Sequence, residues 1–261
     1  MHIEPADIFT NIRKKLSQHD DNAGISEWEL HSLARDAKGI PHHMPDREAA
    51  EMLINARMRK FELAEKQADK FLSKWGRGWF ELTHASAAYA QALCYIKSVE
   101  CVKEAASLRP DHVTTLRNLE HLSMVAIFPC LAFQAKQELL RIGIPEVDVN
   151  FEQIRNELEW MTRHDATDEM LSGYFQACAD VLKGKLSGQS DCVFATREKI
   201  ANCVETGDEI LCLDICVNID GKDAASIQWD IFAQKEKFLP QHLWDYISVG
   251  IKPLGKMAQA V

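Results

Sequence analysis

A histidine followed directly by an aspartate, at His164-Asp165, can contribute to a divalent-metal site. With His121 upstream and Asp208 downstream it could supply the donors of a metal-dependent hydrolase acting on phosphoesters. The surrounding "TRHDATDE" also reads as the end of one helix followed by an Asp165/Thr167 cap on the next, and a two-residue motif recurs easily by chance. His42-His43 stands in a proline-flanked loop without acidic or cysteine company, which is poor metal-ligand spacing. The eight cysteines include no C-x-x-C pair. No glycine-rich phosphate loop, nucleophile elbow or H-E-x-x-H is present. The motifs therefore lead to no catalytic residue, metal ligand or cofactor. The alternative is an enzyme with its site around His164/Asp165, or in the C-terminal part with Asp214, Asp220 or His242.

The chain has 261 residues, a net charge of −9, 46% hydrophobic and 26% charged residues. An acidic protein of this kind is not built to coat nucleic acid or an anionic membrane. The basic excess over 47–77 reads as a solvated helix face with Glu62/Lys66 neighbours. The start, "MHIEPADIFTNIRKKL", carries no apolar segment of the secretory kind. The longest apolar run, "MVAIFPCLAF" at 124–133, is too short to span a bilayer and contains Pro129. Most cysteines sit in apolar patterns, as small buried hydrophobes do. A cytoplasmic protein is expected, with no nucleic-acid and no membrane partner.

Helical patterns cover 5–18, 26–38, 47–58, 61–74, 79–94, 97–108, 113–126, 130–142, 150–163 and 168–185, and the stretch 190–205 reads as one more. Short connectors containing Gly or Pro separate them, such as "KWGRG" and "RPDH". "HDDNAGISEWEL" resembles a calcium loop only until Gly24 is set at the sixth position. The first ligand then becomes His19 and the twelfth Leu30, so the register fails, and Ser26 reads instead as an N-cap with Glu27 and Glu29 in the first turn of the helix. The six tryptophans read as core or hairpin anchors.

Near residue 208 the period changes to two. Leu211, Leu213, Ile215, Val217 and Ile219 define one face of a strand, with Cys212, Asp214, Cys216 and Asn218 on the other. A helix over 223–238 follows, with Ala224, Ile227, Ile231 and Phe238 on one stripe, and then a strand with Ile247, Val249 and Ile251 inward. The division expected is 1–207 helical and 208–261 a small α+β domain or cap. A β-α-β unit is too small to stand alone. It must dock on the preceding helices or complete its sheet with another chain, which would give a homodimer through the C-terminal strand edge.

A shift of 34 residues lays Leu82, Ala85, Ser98, Ala105 and Pro110 on Leu116, Leu119, Ala132, Leu139 and Ile144. Residues 79–112 place Leu82, Ser86, Tyr89, Ser98, Val102, Ala105 and Pro110 in an order that resembles the tetratricopeptide repeat, and 113–146 and 47–76 follow it more loosely. The resemblance spans about residues 47–146. It implies a mostly α fold: an α-hairpin array of α-solenoid type, closed by the small α+β element. It further implies a groove lined by the first helix of each hairpin. That groove would present Phe80, Thr83, Ala87 and Gln91, with Ala90, and then Arg117, His121 and Met124, with Thr114 and Val125, to a partner peptide or helix. The clamp with which some members hold chaperone tails needs Lys and Asn where this chain has Thr83 and Ala87, so that ligand is not implied. The function expected is a non-enzymatic adaptor, regulator or neutralising partner that binds another protein.

Overall fold

Every helix expected between residues 5 and 186 forms in the computed structural model, which describes residues 4–18, 25–144, 150–187, 194–203, 206–217, 219 and 221–253. The helices are α1 (Pro5–Gln18), α2 (Glu27–Ala37), α3 (Pro45–Arg57), α4 (Phe61–Trp75), α5 (Trp79–Gln91), α6 (Tyr95–Leu108), α7 (Val113–Val125), α8 (Pro129–Arg141), α9 (Asn150–His164) and α10 (Asp168–Leu186). They are followed by β1 (Phe194–Asn202), β2 (Glu209–Val217), α11 (Gly221–Phe238), a 3-10 turn (Gln241–Leu243) and β3 (Ile247–Pro253). Local chemistry sets the starts. Ser26 and Glu29 form a reciprocal capping box on α2, while Pro45 and Pro129 open α3 and α8, where a missing N–H costs nothing. The rest of the calcium-like stretch, 19–24, lies outside the described residues.

The chain divides into two compact units. Among the described residues, one holds 4–108 and 183–187 and the other 109–182 and 194–253, so the boundary falls within α10. In the first unit α3 pairs with α4 and α5 with α6, around a core that includes Met52, Phe61, Phe71 and Leu82. In the second, α7 pairs with α8, α8 packs on α9, and α9 packs on the sheet.

The hairpins α3–α4, α5–α6 and α7–α8 close in the same way. Arg59, Leu93 and Ile127 each turn left-handed, at φ 55°, 60° and 60°. One residue later a backbone N–H reaches back to a carbonyl of the preceding helix: Lys60 to Asn55 (3.0 Å), Cys94 to Tyr89 (2.8 Å) and Phe128 to Ser123 (2.8 Å). All three sets recur at 34 residues, as do the helix starts Pro45, Trp79, Val113 and Phe61, Tyr95, Pro129. A left-handed backbone costs a residue with a side chain about 1–2 kcal/mol. Leu93 and Ile127 are buried, and burial of such a side chain returns about 1.5–3 kcal/mol, so glycine is not required. Arg59 instead lies over the Phe61 ring at 5.9 Å. Five residues beyond each turn stands a small, fully buried residue where the two helices cross: Ala64, Ser98 and Ala132. Ser98 and Ser86 donate to one another's carbonyl oxygens there, at 2.9 and 2.8 Å.

The expected helix at 190–205 is not formed. Residues 194–202 are β1, which pairs antiparallel with β2 from Phe194↔Val217 to Asn202↔Glu209, and Gly207 supplies the positive φ of the connecting turn. β3 lies parallel to β2 from Leu211↔Ile247 to Val217↔Pro253, with α11 as the crossover. The β-α-β tail therefore completes its sheet with a third strand from its own chain. It also docks on α9: the Trp160 indole N–H donates to the Glu209 carbonyl at 3.1 Å, and Arg163 pairs with the Glu209 carboxylate. Leu211, Leu213, Ile215 and Val217 are buried as expected, and so is Cys216 from the opposite set. On α11, Ala224, Ile227 and Ile231 are buried, but Phe238 is 48% exposed. Trp160 is a core anchor, whereas Trp28 and Trp229 are 73% and 72% exposed.

Because Ala105 and Ala132 are fully enclosed, leucine at either should overpack its hairpin and cost about 1–3 kcal/mol. Urea unfolding of each variant checks this, and a neutral result at both positions would mean that these are not the sites of closest helix approach.

Candidate partner-binding surface

Phe80, Thr83, Ala87 and Gln91 share one face of α5 at helical spacing, and the structure brings them together there. All four are half-buried, as is Ala90. The Phe80 ring lies 6.0 Å from Phe9 of α1 and 4.2 Å from His84, so much of it is taken up within the first unit. The Thr83 hydroxyl donates to the carbonyls of Trp79 and Phe80 at 2.9 Å, which ties it to its own helix. The side-chain amide oxygen of Gln91, Oε1, is shielded from solvent and has no hydrogen-bond partner among the described residues.

Beneath this face His84 is 7% exposed and also contacts the Phe9 ring at 5.2 Å. Its Nδ1–H donates to the Phe80 carbonyl at 2.7 Å. Burial lowers its pKa to about 4; the carbonyl and Asp46 oppose the shift, and Arg13 adds to it. The ring is neutral in the fold at ordinary pH.

On α7 the corresponding residues are more open. His112 caps the helix, its Nδ1 accepting from the Thr115 N–H at 3.2 Å. Thr114, Arg117 and His121 are exposed, and Met124 and Val125 half-buried. The opposite face buries Thr115, Leu116, Leu119, Glu120 and Ser123. Glu120 is held by Lys136 of α8, with Oε1 and Nζ 3.3 Å apart and both residues buried. This ion pair occupies the interior of the hairpin, where the corresponding residues of α5–α6 are Ser86 and Val102. Removing either partner would leave the other charge buried and unpaired.

Of the residues that could carry chemistry, His164, Asp214 and His42 contact other side chains, whereas His121, Asp165, Asp208 and His242 are exposed. The His164 ring lies tilted against Trp160 and Tyr246, centroids 4.7 and 4.3 Å away, and burial together with Arg163 lowers its pKa. Asp165 is exposed and left-handed in the α9–α10 turn, while Thr167 caps α10 through the Met170 N–H. Asp214 pairs with Lys252, His42 contacts Arg47, and His242 is exposed. Asp220 lies outside the described residues. Among the described residues no three His, Cys, Asp or Glu side chains are placed to hold a metal ion.

Two polar groups that the sequence does not single out also hold the helices. Asp168 accepts from the backbone N–H groups of Cys130 and Leu131, at 3.0 and 3.2 Å, and so caps α8 from α10. An Asp thirty-eight residues from the helix it caps leaves no local signal. In the first unit Glu65 is bonded by Lys97 at 3.0 Å and by Lys183. Burial would raise its pKa, but these hydrogen bonds outweigh that and hold it at about 2.

No protein-family model matches the chain, and no curated protein or solved structure matches it either. None of the described helices is long and apolar enough to cross a membrane.

Two outcomes are expected. Between the unfolded pKa near 6.5 and the folded value of about 4, the unfolded chain binds a proton at His84 that the fold excludes. Stability should therefore fall with pH through this window, by about 2 kcal/mol from this residue at pH 5. Urea midpoints at pH 7.5 and 5 should converge in a His84→Gln variant, and an unchanged pH slope would contradict the buried neutral ring. At the ion pair, Lys136→Met alone should cost about 3–5 kcal/mol. Adding Glu120→Leu should restore most of the loss, as measured by a double-mutant cycle in urea.

Proposed function

We propose that this protein is a non-enzymatic, TPR-like interaction module that binds a peptide or helix of another protein through the outer faces of its first helices. The observation that carries the reading is the 34-residue recurrence of one left-handed hairpin closure, at Arg59, Leu93 and Ile127. A helical hairpin repeated at this interval favours a binding scaffold, since each unit offers one helix face outward. On α7 that face offers Arg117 and His121 beside the half-buried Met124. It suits an amphipathic segment with an acidic residue for the guanidinium and an apolar one for the thioether. The face of α5, in the other unit, is smaller by itself, because Phe80 packs against Phe9 and leaves Ala87 and Gln91. The cytoplasmic setting and the absence of nucleic-acid and membrane partners belong to the same proposal, and rest on cysteine usage and net charge.

A photo-crosslinking side chain at Arg117 or His121 should capture the same protein from its native source. The same probe at the exposed Gln134 or Gln137 of α8 should not. Affinity for that purified partner should drop at least about tenfold, ~1.4 kcal/mol, in Arg117→Glu. Equal capture from α8, or phosphoester turnover abolished by His164→Ala, would overturn the proposal.

A further inference from the structure

α11 presents a second surface, unrelated to the α7 face. Its inner side, Ala224, Ile227 and Ile231, is buried against its own unit, where α11 packs on β3. Directly opposite, at helical spacing, run Lys222, Ala225, Trp229, Phe232, Ala233 and Glu236, all exposed. Trp229 and Phe232 are 72% and 55% exposed, and their rings meet edge to face at 6.3 Å. A paired aromatic patch this open on a helix marks an interaction site.

The order of residues along the stripe identifies the occupant. Lys222 and Glu236 stand seven residues before and after Trp229, and Ala225 and Ala233 stand four before and after it. An antiparallel copy of the helix centred on Trp229 therefore meets it with Glu236 opposite Lys222 at both ends. The alanines face each other and leave room for the indole rings between them. A two-fold contact requires a surface complementary to itself, and this stripe is. The edge of β3 is a poorer route, because the Gln228 side chain already donates to the Val249 carbonyl at 2.6 Å and accepts from the Ile251 N–H at 2.7 Å. Those are two of the outward groups of β3 that an added strand would use.

We infer that two copies of this chain associate through antiparallel α11 helices, with Trp229 at the two-fold axis and Lys222–Glu236 pairs at either end. The contact is small, on the order of 1,000 Å² at most, the lower end for a specific interface. It is accordingly concentration-dependent.

The test is sedimentation velocity of the full chain from about 1 to 200 μM, a range that brackets a weak dimer. The expected result is a reversible monomer–dimer equilibrium that Trp229→Ala abolishes. Lys222→Glu and Glu236→Lys should each weaken the dimer about tenfold at low salt, and the two together should restore it. Circular dichroism of each variant separates lost association from lost folding. A chain that stays monomeric throughout overturns the inference, as does a dimer indifferent to Trp229→Ala. If the double charge exchange is no better than the singles, the antiparallel register is wrong.

Discussion

Each of the three hairpins depends on one residue whose backbone turns left-handed between two helices. The turn fixes the phase at which the second helix leaves the first, and so fixes which side chain meets the crossing. Five residues on, that position is Ala64, Ser98 or Ala132, each with no exposed surface. A larger residue would hold the helices apart and deny the left-handed residue its burial. At Leu93 and Ile127, burial is what offsets the backbone cost. Turn and crossing thus depend on one another, and the 34-residue interval is the length of chain needed to return to the same arrangement.

Much of this was readable before the structure, because it rests on local chemistry. Apolar period and capping residues placed the helices to within a few residues. Small residues at a fixed offset indicated close crossings. The third hairpin, 45–75, has the weakest sequence match, with Glu48 and Glu51 where the others carry Leu82 and Ala85 or Leu116 and Leu119. Its geometry nevertheless repeats, because the left-handed turn at Arg59 and the small crossing residue Ala64 are kept even where these buried positions change. The failure at 190–205 is of the opposite kind. "TREKIA" is made largely of good helix formers. Pairing with the whole length of β2 overrides that preference.

The surface residues were less legible, since exposure is decided by contacts far away in the chain. Phe80 is drawn inward by Phe9, about seventy residues earlier, which no pattern around Phe80 reveals. Arg117 and His121 remain open, because the buried side of α7 is already defined by Leu116 and Leu119. The stripe of Ile227 and Ile231 is legible and already leaves Trp229 off the inner face, yet residue type alone makes it read as an anchor, whereas it is 72% exposed. Lys136 and Glu120, ordinary surface residues by type, turn inward together, and neither alone gives a reason to expect it.

The amide of Gln228 restricts how this protein can grow at the edge of β3. An open strand edge accepts a further strand and then offers a new edge, so strand addition has no natural end. With the Val249 carbonyl and the Ile251 N–H both occupied, that propagation is hindered at the middle of β3 by one side chain. A helix face that meets its own copy is used up by the encounter. Filaments are disfavoured at this edge, and assemblies of limited size are left open.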